Sequence, residues 1–201
     1  MSRAAVATLA CLAVLCGALG CASTRVETQW KDPETTAEDL AFERVIAIAQ
    51  VEDGTTRRVA EDELVRVLES GPRAKARGMD ASPSYPLITG RELGDVAVMR
   101  AKVEAAVFDG AVVMRLIGSE ERVRYVPGHY ETMWGRVVSY DPGYTVVDEI
   151  VRVETSLYSI AQGKRLWSGV TRTLNPSDVP ELVDEVARSI GEELEAQGLA
   201  P

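Results

Sequence analysis

Val45-Ile46-Ala47-Ile48-Ala49 is an unbroken apolar run, the pattern of a strand covered on both faces. Such a strand needs a layer of structure on either side, so the chain must be built in layers around a sheet. A hydrophobic core has to hold those layers without covalent help. All three cysteines lie within the first 21 residues, and His129 is the single histidine. That excludes a disulfide framework in the body, most N/S metal sites, and catalysis that needs a Cys–His pair or two imidazoles. At 201 residues the chain is long enough to bury such a core unaided.

The order of elements follows from periodicity. Val26, Thr28 and Trp30 alternate with Glu27 and Gln29 as in a half-buried strand, and Asp32-Pro33 breaks it. After the buried run, Asp53-Gly54 turns the chain. From Thr56 the residues Ala60, Leu64, Val67 and Leu68 share one helical face, and Gly71-Pro72 stops that helix. The stretch to Pro86 carries one short strand. A second helix starts from Thr89-x-x-Glu92 as a capping box or from Asp95 as the cap. Val96, Met99, Val103, Ala106 and Val107 line its apolar face, and Gly110 closes it. Ala111–Ile117 is another buried strand and continues into the alternating Arg122–Tyr125. Val147, Val151, Val153 and Leu157 share a strand face, Ala161–Lys164 makes a hairpin loop, and Arg165–Leu174 returns. Asp178-x-x-Glu181 caps a last helix striped by Val183, Val186, Ala187, Ile190 and Leu194. The fold class is α/β in the mixed α+β sense: one mixed sheet with a C-terminal antiparallel hairpin, packed by about three helices. Parallel pairing is expected across the helical connections.

The N-terminus reads as a targeting segment. Arg3 precedes the uncharged, mostly apolar stretch Ala4–Leu19, shorter than a membrane-spanning helix requires. Ala18-Leu19-Gly20-Cys21 follows, then polar Ala22-Ser23-Thr24-Arg25. This segment resembles the bacterial lipoprotein signal. The resemblance implies cleavage between Gly20 and Cys21, diacylglycerol on the Cys21 thiol and an N-acyl lipid on the new amino group. Cys11 lies too early for this role, and Cys16 follows bulky Leu15. Ala18 stands where leucine is commoner, and Ala18-x-Gly20 also suits ordinary signal peptidase; an uncleaved anchor is a further alternative. Several acyl chains hold a protein firmly where one does not. Ala22, where inner-membrane retention usually has aspartate, implies the periplasmic face of the outer membrane in a Gram-negative host. The expected division is 1–20 signal peptide, 21–43 lipidated tether with a possible edge strand, and 44–201 a single periplasmic domain.

Further motifs resemble a group of bacterial lipoproteins without assigned activity. They are Cys21–Thr24, Trp30-Lys31-Asp32-Pro33, Arg124–Gly128, and Leu157-Tyr158 through Gly163-Lys164-Arg165-Leu166-Trp167-Ser168. More distantly the architecture is similar to lipoproteins that assist curli secretion or activate penicillin-binding proteins. The resemblance brings no catalytic residues with it.

Charge narrows the partners. The net charge of −9, or −10 once residues 1–20 are removed, argues against nucleic acid and against anionic membrane surfaces. His129 sits between Gly128 and Tyr130 and reads as a solvated side chain; no Ser-x-x-Lys, phosphate-loop or calcium-loop spacing occurs. Glu120-Glu121 and Asp148-Glu149 are adjacent pairs, which point to opposite faces of a strand and read as solvated edges. The acids of the terminal helix, from Glu181 to Glu195, read as its solvated face. No catalytic residue, metal or cofactor is therefore expected beyond the lipid on Cys21. Trp30 and Trp167 read as core or sheet-face packing.

The connection from Tyr125 to Tyr144 is unusual. Tyr125, Tyr130, Trp134, Tyr140 and Tyr144 are five of the eleven aromatics, bracketed by Pro127-Gly128 and Pro142-Gly143. Long loops in compact domains are often functional. Two readings stand: a small extra hairpin around Gly135 with its aromatics folded onto the sheet, or a partner-contacting loop in which Tyr130, Trp134, Tyr140 and Tyr144 bind. The expected function is a lipid-anchored, non-enzymatic envelope protein whose domain binds an envelope protein or glycan. A hydrolase of envelope polymers and a carrier of a small apolar ligand are the alternatives. Converging carboxylates in a deep pocket favour the first, and a dry cavity of several hundred Å³ the second.

Overall fold

The computed structural model describes residues 24–134 and 136–199, so the signal segment and Cys21 lie outside the described residues. Strands β1 (Thr24–Lys31), β2 (Arg44–Gln50), β3 (Asp80–Pro83), β4 (Gly110–Val126), β7 (Tyr144–Ser159) and β8 (Lys164–Leu174) form one sheet in the order β1-β8-β7-β4-β2-β3. β2 lies parallel to both β3 and β4, while the β4–β7, β7–β8 and β8–β1 pairs are antiparallel. This is the mixed sheet the sequence predicts. Strands β5 (His129–Met133) and β6 (Arg136–Asp141) make a separate two-stranded sheet.

The buried run behaves as its composition requires. Val45, Ala47 and Ala49 of β2 face helices α1 (Gly54–Ser70) and α4 (Val179–Ala196), together with Leu64, Val112, Val153 and Ile190. Ile46 and Ile48 point to the other face and meet Ile88 and Val103, the latter from helix α3 (Val96–Ala105). Two clusters therefore sandwich one strand.

Each of these three helices starts on an aspartate whose carboxylate takes orphan backbone N–H groups. Asp53 accepts from Thr56 N (2.7 Å), Asp95 from Ala97 N and Val98 N, and Asp178 from Glu181 N. The choice left open in sequence falls to Asp95. Thr89 and Glu92 do bond to one another, but they close a turn ahead of the helix.

Several boundaries differ from expectation. α3 stops at Ala105, and Val107 lies beyond it at φ 61° and largely exposed, so it does not share the helix face. Gly110 closes no helix; it opens β4 where its Cα abuts the Phe42 ring, leaving no room for a side chain. A fourth, short helix, α2 (Pro72–Arg77), follows directly on Gly71, because proline suits the first helical turn as well as it ends the preceding one. The segment 125–144 is a hairpin rather than a loop; Gly135, its expected centre, lies outside the described residues.

Candidate functional site

β4 and β7 are far longer than the sheet they belong to. β2 pairs with β4 only as far as Arg115, and β8 pairs with β7 only from Ile150 onward. From Glu121↔Glu149 to Val126↔Tyr144 the two strands pair only with each other and leave the body as a two-stranded ribbon. Its six residue pairs reach about 20 Å. A register shift between Leu116 and Gly118 marks its root, where a bulge adds twist.

Polar contacts brace that root. Asn175, at φ 49°, donates its amide to Asp148 (3.1 Å) and its side-chain oxygen accepts from Glu149 N. Arg124 reaches Asp148 from the facing strand. Asp148 is buried, so it is no solvated edge; the Asn175 bond lowers its pKa, burial opposes this, and Arg124 reinforces it. Glu120 pairs with Arg152, which also binds Glu27 of β1. Glu120, with Arg152, and Asp148, with Arg124, thus form structural ion pairs.

At the far end the chain turns twice. A Cβ on Gly128 would lie 2.6 Å from Asp141 O and 2.7 Å from Gly143 N, so the two Pro-Gly segments approach as only glycine permits. Beyond them β5 and β6 carry the aromatics. Tyr130 and Tyr140 are cross-strand partners with ring centroids 4.9 Å apart, stacked upon each other. Both are exposed, as are Tyr125, Tyr144 and His129. Trp134 occupies the turn at φ 48° and is 97% exposed. A bulky residue in the left-handed region is a genuine outlier, and such strain gathers where function over-determines geometry. The hairpin of the first reading thus forms, but its rings do not fold back onto the sheet. The structure brings Tyr130 and Tyr140 into contact and places Trp134, exposed, at the turn beyond them.

Two features escaped the sequence. Glu61 of α1 is wholly buried and its carboxylate accepts five bonds: from Ala49 N, Arg57 Nε and Ser84 Oγ on one oxygen, and from Ser84 N and Tyr85 N on the other. Arg57 is buried beside it and also donates to Ser84 Oγ. In sequence this is an ordinary i,i+4 pair of a solvated helix face; only the remote segment after β3 makes it a core element. The second is a cavity of about 640 Å³ between α1, α4 and the sheet, walled by Leu64, Val67, Ala187, Ile190 and Leu194. It meets the expected size of an apolar ligand site.

Of the two tryptophans read as packing, Trp167 is fully buried, whereas Trp30 stands half exposed at the sheet edge under the Arg165 guanidinium, 5.1 Å from its ring. Among the described residues no three His, Cys, Asp or Glu side chains gather to hold a metal, and no helix is long and apolar enough to cross a membrane.

No family model and no curated protein matches this chain. Solved structures overlap it loosely. The PelC dodecamer from Paraburkholderia phytofirmans is 13% identical, with a TM-score of 0.45 over 83% of this chain and 94% of that one. Lipoprotein GNA1162 from Neisseria meningitidis is 14% identical, with a TM-score of 0.37 over 76% of this chain and 98% of that one. At this level of overlap nothing about the chemistry of this chain follows.

Proposed function

We propose that this chain is a lipid-anchored, non-enzymatic protein of a bacterial envelope that grips another envelope component, protein or glycan, with the aromatic tip of its β4–β7 ribbon. The observation that carries the reading is the placement of Tyr130, Trp134 and Tyr140, exposed at the end of an arm braced at its root. Tyr and Trp are the residue types that dominate recognition energy, because they offer large area at low entropic cost. The acidic chain favours aromatic over charge-driven contact and gives nucleic acid no purchase. The Ala18–Cys21 motif supports the anchor, through diacylglycerol and an N-acyl chain on Cys21, and Ala22 supports the outer membrane's periplasmic face.

Two variants test the two halves. Cys21→Ser should leave an unprocessed or soluble protein; a variant that loses its signal segment and still sediments with membranes sinks the anchor. Replacing Tyr130, Trp134 and Tyr140 together by alanine should cost no more than the Tyr–Tyr stack, about 1 kcal/mol, while crosslinked capture in intact envelopes falls away. A collapsed melting temperature would make the rings core. Unchanged capture would remove the arm as the recognition element.

A further inference from the structure

The ribbon and the start of β1 lie at the same end of the sheet. Thr24, Thr173, Val151 and Ser119 are in register across four strands, and Thr24 is the first residue of β1. β1 runs parallel to β7, since each is antiparallel to β8, so both enter the sheet from the ribbon's side. Thr24 follows Cys21 by three residues, a reach of at most about 11 Å. An arm pointing away from the membrane would set the rest of the sheet, about 26 Å from Val151 to Ser159, between Thr24 and the bilayer. Three residues cannot bridge that. The ribbon, itself about 20 Å long, therefore points toward or along the surface that holds the lipid.

One face of the ribbon suits that surface. Beyond the Glu121↔Glu149 pair at the root, the pairs Val123↔Val147 and Tyr125↔Thr145 share a face without charge. Val123, Tyr125 and Val147 are all exposed on it. The opposite face carries Arg122, Asp148 and Arg124. Valine gains by leaving water, and tyrosine is enriched where a bilayer meets water. The face offers no cation, so its contact does not depend on anionic headgroups and agrees with an acidic chain. Three such side chains hold a bilayer weakly by themselves. On an anchored chain the second contact is intramolecular, and little affinity suffices. We propose that the Val123–Val147 face is a bilayer-docking surface, seated on the leaflet that holds the Cys21 lipids. This rests on the anchor proposed above and goes beyond it by fixing the arm's direction: the partner of the tip lies at the membrane surface.

Photo-crosslinking reads the occupant directly. p-Benzoylphenylalanine replaces Val123 or Val147 and, on the opposite face, Arg122 or Arg124, one position at a time in the full chain. After irradiation of intact envelopes, a phospholipid adduct appears as the added mass of one lipid, and a protein adduct as a gel shift. Positions 123 and 147 should give at least about tenfold more phospholipid adduct than 122 and 124, because the two sets point to opposite faces. With the probe at Tyr125, Val123→Glu/Val147→Glu should cut the lipid adduct about tenfold and leave the melting temperature unchanged, since both sites are exposed. Equal lipid adducts on the two faces, protein adducts at 123 and 147, or a double glutamate variant that keeps its lipid adduct would each overturn the proposal. The mass of the N-terminal peptide reports the anchor separately. A lipidated Cys21 without ribbon adducts overturns the docking and keeps the anchor; a bare Cys21 overturns the anchor and the reach argument with it.

Discussion

Inside the sheet, Met114 of β4 faces Thr155 of β7 and both are buried; farther along the same two strands Val123 faces Val147, exposed at 68% and 55%. The ladder resumes past its bulge, and although Glu120, Glu121, Arg122 and Arg124 make the outer part of β4 the more polar, Val123 and Val147 are as apolar as anything in the inner part. What changes is the cover. The inner half has α1 and α4 above it and neighbouring strands on both sides, while the outer half, past the Asn175 contacts at its root, pairs among the described residues only with its partner strand. The body even buries a charged pair, Arg57 with Glu61, while the ribbon exposes a tryptophan. Burial in this molecule is therefore set by which elements converge on a residue. A side chain's own polarity is the weaker guide.

The largest effect should come from breaking the buried pair. Glu61→Leu strands the Arg57 guanidinium and removes the acceptor of three backbone N–H groups, so chemical denaturation should show a loss of about 3–5 kcal/mol. Recovery of much of that loss in Arg57→Met/Glu61→Leu would confirm that the unpaired charge is what hurts.

The tryptophans sharpen the contrast next. Trp167→Ala empties a fully buried site and should cost about 3–5 kcal/mol, whereas Trp134→Ala should stay within about 0.5 kcal/mol of neutral. Comparable losses at the two positions would mean that the arm is packed after all. Trp134→Gly carries this further. Glycine relaxes the left-handed turn, so the melting temperature should rise by the equivalent of up to about 1 kcal/mol while capture is lost. A variant that is both stabler and functional would detach the strain from recognition.

The smallest effect is acid-dependent and confined to the body. Glu92 is held down at about 2 by the bond from Lys102, then by Thr89 N and the Thr89 hydroxyl. Asp39 is held at about 2 by Thr36 N, the Thr36 hydroxyl and Gln162. Both are depressed, so their stabilisation is complete above the unfolded-state values near 4 and is lost as pH falls toward 2. Hydrogen-exchange protection factors around the 89–102 segment, corrected for intrinsic exchange, should fall as pH drops across that window and stay flat above pH 5. Protection that falls on raising the pH instead would give the wrong sign.

Much of the body was legible from local rules. Asp178-x-x-Glu181 precedes an apolar stripe and Ala161–Lys164 lies between two alternating runs, so that cap, its helix and the β7–β8 hairpin follow from nearest neighbours, whereas Asp53, read only as a turn, also caps α1. The ribbon was legible only in part. Pro127-Gly128 and Pro142-Gly143 announce turns, but whether the five aromatics meet a sheet or water depends on where β2 and β8 stop, which no local pattern records. Glu61 fails the local reading for the same reason, because Ser84 and Tyr85 reach it from 23 and 24 residues away.

The nesting of β5–β6 within β4–β7 also has a kinetic side. Every pair in the ribbon, from the tip inward, encloses a longer segment than the one before it, ending with Gly110↔Ser159 deep in the core. Closing a short segment first makes each later closure cheap, since the ends have already been brought together. The chain can therefore zip from Trp134 toward the body, with hairpin formation in microseconds as its opening step. The core strands of the sheet would then be delivered in register by the part of the molecule that stays outside the core.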